Sequence, residues 1–164
     1  MLALTLHQPW AWAVAHGGKR VENRTWHPPR SLLGHHLAIH AAAPPRRKAD
    51  RETMMELVRQ LGAPLPGQGL TFSAVVAVVK VTGAVESPAR LEPDQRKWFI
   101  GPLGWTLDDV VALGCPVEAK GAQRLWRLDE ALTSHVRLQW REAKGQALTE
   151  DEQERLALQD PRFH

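Results

Sequence analysis

The stretch Gly17-Gly18-Lys19-Arg20-Val21-Glu22-Asn23-Arg24 decides how the rest of this chain is read. Its glycine pair can end a helix in a left-handed backbone conformation. After the turn, Val21, Thr25 and Trp26 give residues 19–26 the composition of a strand, which Pro28-Pro29 stops. Alternation along that strand puts Glu22, Arg24 and Trp26 on one face and Val21, Asn23 and Thr25 on the other. Lys19 and Arg24 have the chemistry to hold phosphates, and Glu22 can orient a cation or act as an acid or base. An exposed strand laced by salt bridges would carry the same residues, so spacing alone leaves both readings open.

Upstream of the octet, residues 2–6 are a short apolar run of strand length that ends in His7-Gln8-Pro9. Pro9 fits the first position of a helix whose apolar face is Trp10, Ala13 and Val14. Downstream, residues 35–41 form another strand candidate, followed by Pro44-Pro45 and the basic run Arg46-Arg47-Lys48. A core-facing helix is expected from Asp50 to Leu61, because Met54, Leu57, Val58 and Leu61 fall at helical spacing with Gly62 just beyond. Phe72 to Val81 carries Val and Ala on both faces and reads as a central strand buried on both sides. Residues 86–104 are a long connection of the kind that is often functional in small domains. Trp105 to Val110 and Arg124 to Leu128 are two further short strands, joined through Cys115-Pro116 and Lys120-Gly121. At Asp129, a good N-cap, the pattern turns helical, and Leu128, Leu132, Val136 and Trp140 recur every four residues until Gly145. Thr149 with Glu152 opens a second helix as a capping box. The expected class is α+β, with a mostly β domain over residues 1–128 and a C-terminal helical extension over 129–164 packed on it.

Composition limits the function classes. A chain of 164 residues, 43% apolar and 24% charged, with no long apolar run, is one ordinary domain and neither disordered nor membrane-spanning. The N-terminus has no basic leader or small-residue cleavage site, and the lone Cys115 offers neither a disulfide nor a zinc cluster, so a cytoplasmic location is expected. No glycine-rich phosphate loop, serine nucleophile elbow or recognisable Cys-His pair is present. His36 and His40 would stand about 13 Å apart along a strand, too far for one ion. No metal and no cofactor is therefore expected. Seven Trp without a single Tyr, with a pI near 9.4, raise nucleic acid as a partner, although most of these rings should be core. Residues 1–60 hold nine Lys/Arg against four Asp/Glu, whereas residues 129–164 hold five against eight, so a polyanion would meet the N-terminal part.

The octet matches Gly-x-Lys-x-x-Glu-x-Arg, the signature of the ASCH domains, named for homology to an activating signal cointegrator. Its flanks resemble the family too: Leu4-Thr5-Leu6-His7-Gln8-Pro9-Trp10-Ala11, Ile39-His40-Ala41, and Gly101-Pro102-Leu103-Gly104-Trp105-Thr106-Leu107-Asp108-Asp109-Val110. The resemblance covers roughly residues 2–128 and implies a PUA-like mixed β-barrel of about six strands. It also implies a cleft in which Lys19, Glu22 and Arg24 stand beside Gln8, Trp10 and His40. Members of the family are thought to bind RNA or other nucleic acid there; one branch resembles amidohydrolases that deacetylate modified cytidine, and others are linked to RNA cleavage. Glu22 departs from the Thr that the amidohydrolase branch carries at this position, and the helix near 50–61 and the tail after 129 depart from its compact length.

The expected ligand is single-stranded RNA or a nucleotide-like group. Lys19 and Arg24 would hold phosphate, Arg20 and Arg46-Arg47-Lys48 would widen the basic surface, a base would stack on Trp10 or Trp105, and Gln8, Glu22 and His40 would give specificity. Two alternatives stand beside this reading. One is a hydrolase of RNA or a modified nucleoside acting through Lys19 and Glu22 as catalytic pair. The other is a protein-interaction module that meets its partner through the C-terminal helices.

Overall fold

A computed structural model describes residues 1–159. Alternating apolar residues form β1 (Leu2–Leu6), and the chain then turns at His7-Gln8-Pro9 into α1 (Trp10–Ala15). Gly18 takes a left-handed φ of 77° after this helix. At Gly17 a Cβ would lie 2.9 Å from Ala13 Cα, so only glycine lets the turn close against the helix. There follow β2 (Val21–Arg24), β3 (His36–Ala41) and α2 (Lys48–Leu61), whose left-handed end falls at Gly62 as the sequence implies. The chain continues through β4 (Ala74–Val85), β5 (Leu103–Glu118) and β6 (Leu125–Arg127) and ends in α3 (Glu130–Ala143) and α4 (Glu150–Gln159).

The six strands make one sheet in the order β2-β5-β4-β3-β1-β6, in which β1 and β3 run parallel and every other pair is antiparallel. The two edge strands do not pair with each other, yet the sheet curls until its edges meet side chain to backbone and cation to ring. Arg24 beside the first edge donates to Thr5 O on β1 at 3.3 Å, and the Arg124 guanidinium stands 5.3 Å over the Trp26 ring. β4 is the central strand, and it feeds apolar side chains to both faces. Val76, Val79 and Val81 join Leu4, Leu6, Leu37, Ile39 and Trp105 under α1. Val75 and Val78 join Ala3, Ala38, Leu113 and Val136 under α3. Met54 and Val58 of α2 pack on Leu70 in a satellite cluster.

Two strands differ most from their expected bounds. β2 is shorter than residues 19–26, because Lys19 and Arg20 belong to the turn and Trp26 leaves the strand to pack at 4.7 Å on Trp105. β5 does not stop at Val110 but runs through Cys115-Pro116. Pro116 is tolerated there because the register jumps from Val75↔Val117 to Ala77↔Ala112, a bulge in which the missing N–H breaks no ladder bond. The 86–104 connection carries 3-10 turns at Pro88–Arg90 and Pro93–Trp98. Gln95 pins it by accepting from Arg20 N at 2.8 Å and donating to Gly18 O at 3.0 Å. The stripe Leu128, Leu132, Val136 and Trp140 packs on the sheet, with Val136 fully buried, so it offers no free docking face to a partner.

The two helix starts read from the tail form as expected. Asp129 accepts from Leu132 N at 2.8 Å, and Thr149 and Glu152 exchange bonds at 3.0 and 3.2 Å. No helix among the described residues is long and apolar enough to cross a membrane, and among them no three His, Cys, Asp or Glu cluster as metal ligands.

Candidate functional site

A cleft of about 770 Å³ opens at the C-terminal ends of the parallel strands β1 and β3. Glu22, Asn23 and Arg24 of β2 form one wall, Trp10 at the start of α1 stands at another side, and residues 120–124 between β5 and β6 form the wall opposite β2 in the sheet order. Thr5, His40, Ala42 and Ser73 lie between them.

The octet builds the first wall. The tight turn at Gly17-Gly18 brings Lys19 back under α1, where its N–H bonds Ala13 O at 3.0 Å. Glu22 is paired in register with Trp105 on β5, so its side chain shares the inner face of the sheet with that ring. Its Oε2 accepts from Lys19 Nζ at 2.7 Å and its Oε1 lies 3.3 Å from Arg24 Nη2. Only 3% of the lysine side chain and 10% of the glutamate side chain reach solvent. Lys19 therefore sits behind Glu22 and does not line the cleft, whereas Arg24, 22% exposed, does. Arg24 Nε is buried with no acceptor among the described residues. Asn23, on the other face of β2, accepts from Ile100 N and Gly101 N at 2.8 and 3.1 Å and donates to Trp98 O at 2.8 Å, tying the 86–104 connection to the wall.

His40 forms a closed polar chain. Its Nε2 must donate to Ala119 O, 2.8 Å away, because a carbonyl only accepts. Trp126 Nε1 donates to Thr5 Oγ1 at 3.0 Å, and the Thr5 hydroxyl donates onward to His40 Nδ1 at 3.2 Å. The neutral Nε2–H tautomer satisfies every group in this chain. Burial agrees by pushing the imidazole pKa down, against a smaller upward pull from the Ala119 carbonyl. Both ring nitrogens are occupied, so His40 shapes the site and carries no spare donor or acceptor. Gly121 lies directly on the ring, where a Cβ would come within 2.5 Å of His40 Cε1.

Of the residues anticipated from sequence, Trp10, Glu22, Arg24 and His40 come together in the cleft. Others do not join them. Gln8 is buried at the start of α1, its Oε1 accepting from Trp12 N at 3.0 Å and its Nε2 donating to Thr71 O at 2.7 Å. Trp105 is fully buried and donates Nε1 to Trp26 O at 2.8 Å, so no face is free for a base. Arg20 turns back onto Val14 O and Lys19 O, and Arg46 and Arg47 lie on the exposed approach to α2, outside the cleft lining. Sequence reasoning missed Lys120, Gly121 and Arg124. Their one visible signal was a glycine turn flanked by cations, which reads as an ordinary connection.

Residues 4–102 match the family model of the ASCH domain, which is more than half of the chain. The chain belongs to the ASCH domain family. Its curled six-stranded sheet with flanking helices is of the α+β class. The crystal structure of ASCH from Zymomonas mobilis is similar at 17% identity and a TM-score of 0.47, covering 80% of this chain and 90% of that one. Two point mutants of that protein align at 16% and 15% identity with TM-scores of 0.47 and 0.46, over 80% of this chain and 90% and 92% of theirs. No curated protein matches closely enough to count as a relative. The ASCH match ends at residue 102, so the cleft combines the family signature on one wall with residues 120–124, beyond the match, on another.

Proposed function

We propose that this ASCH domain binds single-stranded RNA or a nucleotide-like group in its cleft, in the cytoplasm, with which its single buried cysteine is compatible. One observation carries the reading: a cleft of about 770 Å³ places the cations of Arg24, Lys120 and Arg124 around the half-buried ring of Trp10. That volume falls within the range of small-molecule sites, roughly 300–1,000 Å³. Phosphate is held by the partly exposed guanidinium of Arg24, and a base stacks on Trp10, an interaction worth about 1–3 kcal/mol. Glu22 offers the acceptor that reads a base edge. Lys19 takes no phosphate in this scheme, because Glu22 occupies its ammonium.

Labelled single-stranded RNA and duplex DNA of equal length, titrated at two salt concentrations and then run on denaturing gels, test this. Tight, salt-sensitive binding of intact RNA is expected. Arg24→Ala should weaken binding and reduce the salt slope by about 1; unchanged binding removes β2 from the site.

A second reading is supported by the buried Lys19–Glu22 pair at the cleft wall, an arrangement that can position a carboxylate as general base for hydrolysis of RNA or a modified nucleoside. Shortened RNA that stays whole with Glu22→Gln protein of unchanged RNA affinity would favour it over a binding module.

A further inference from the structure

The wall that sequence reading passed over has the chemistry of an anion site. None of the backbone N–H groups from Lys120 to Arg124 has an acceptor among the described residues, although Ala119 just before them bonds Ser73 O at 3.0 Å. The run ends on Arg124 in the left-handed conformation, with φ at 58°. Successive N–H groups closed by a left-handed residue form the concavities in which proteins seat anions. A non-glycine residue in that region is strained, by about 1–3 kcal/mol in the general case, and such strain concentrates at ligand sites. Cations flank the run at both ends, with Lys120 in no ion pair among the described residues and Arg124 stacked 5.3 Å over Trp26. The base of the wall is rigid: His40 Nε2 holds Ala119 O, and Gly121 rests on the imidazole in a space that admits no Cβ. Ser73, itself left-handed at φ 51°, takes the Ala119 N–H on its carbonyl and lines the same cleft.

We propose that residues 120–124 are a phosphate-binding wall, in which the backbone N–H groups of Gly121, Ala122 and Gln123 receive the phosphate oxygens and Lys120 and Arg124 neutralise them. Assigning that phosphate to a nucleic acid rests on the function proposed above; the affinity for phosphate itself does not. With Arg24 on β2, the wall gives the ligand cationic partners on two elements that meet only because the sheet curls.

The test uses the full chain labelled with nitrogen-15 and followed by amide NMR. Inorganic phosphate is added first, against chloride at the same ionic strength, and a short oligouridylate second. Saturable shifts of the Gly121, Ala122 and Gln123 amides with phosphate, absent with chloride, are expected. Lys120→Ala with Arg124→Ala, both on exposed side chains, should remove the phosphate shifts and lower the salt slope of oligouridylate binding by about 2, whereas Arg59→Ala on α2 should leave both unchanged. Phosphate shifts no larger than those of chloride, or a double variant that binds oligouridylate with the parent slope, overturn the wall while leaving the cleft as an RNA site. Phosphate shifts at the wall with no oligouridylate binding uphold it and overturn the nucleic-acid reading instead.

Discussion

Replacing Glu22 by alanine leaves Lys19 Nζ without its acceptor, 2.7 Å away, where only 3% of the lysine side chain reaches solvent. At an effective dielectric constant of about 20, the gross attraction across that distance is about 6 kcal/mol, much of it offset by the cost of taking both charges out of water. The measurable quantity is the penalty for stranding one partner, about 3–5 kcal/mol. Arg24 adds little, because its contact with Glu22 is longer, at 3.3 Å, and it keeps Thr5 O as a second acceptor. In a chain of this length each kcal/mol moves the melting temperature by about 2–4 °C, so Glu22→Ala should lower it by roughly 6–20 °C. Thermal unfolding near neutral pH, followed by circular dichroism, measures this. The double variant Lys19→Met with Glu22→Leu should melt closer to the parent than either single charge deletion, since a buried pair replaced by apolar groups is often neutral. A drop below about 2 °C for Glu22→Ala would refute the reasoning, because it would mean that Lys19 reaches water and the pair is not confined.

Other consequences are smaller and separable. Burial holds the His40 pKa below the ordinary 6.5. The unfolded chain therefore takes up the proton first, and stability is complete above 6.5 and falls as pH drops through 6.5 toward the lowered value. The melting temperature should fall from about pH 7 to about pH 5 more steeply in the parent than in His40→Gln, and equal slopes would refute the buried neutral tautomer. Val136→Ala should cost about 2 kcal/mol in chemical unfolding, since the side chain is fully buried between α3 and the sheet; no change would mean that the helix is a detachable arm. Gly121→Ala brings a methyl within 2.5 Å of His40 Cε1, so the parent shift of the His40 ring protons should be lost; an unmoved spectrum would show that the wall does not rest on the ring.

What could be read from the sequence was what short-range physics writes into it. Glycine after α1, the helical spacing of Met54 and Val58, the Val-rich run of β4 and the capping box at Thr149 each depend on neighbours a few residues away, and each appears where its pattern puts it. The octet likewise pointed to the cleft wall, on which Glu22 and Arg24 stand with Lys19 packed behind them. It did not announce how the three divide their work, because that depends on depth. Alternation places Glu22 and Arg24 on one face, but only the register Glu22↔Trp105 and the packing of Trp26 on Trp105 bury the inner end of that face and leave Arg24 at its outer end. The same long-range packing buries Trp105 out of the cleft and leaves Trp10 lining it.

Residues 120–124 were opaque for a related reason. A lysine, a glycine and an arginine in a connection carry no periodicity, and their meaning comes from partners far along the chain: His40 beneath Gly121, Ser73 against Ala119, Trp26 beneath Arg124. Those partners come from β3, from the start of β4 and from just beyond β2. Such a wall depends on the curl of the sheet, whereas the Lys19–Glu22 pair joins residues three apart in one turn and strand. The two halves of the cleft therefore differ in kind. The signature wall carries a buried ion pair formed between residues three apart, and the opposite wall carries exposed donors placed by tertiary structure. Differences in ligand preference among proteins with the same octet should consequently track the segment after β5, and exchanging residues 120–124 between two such proteins should transfer ligand preference more completely than exchanging residues 17–24.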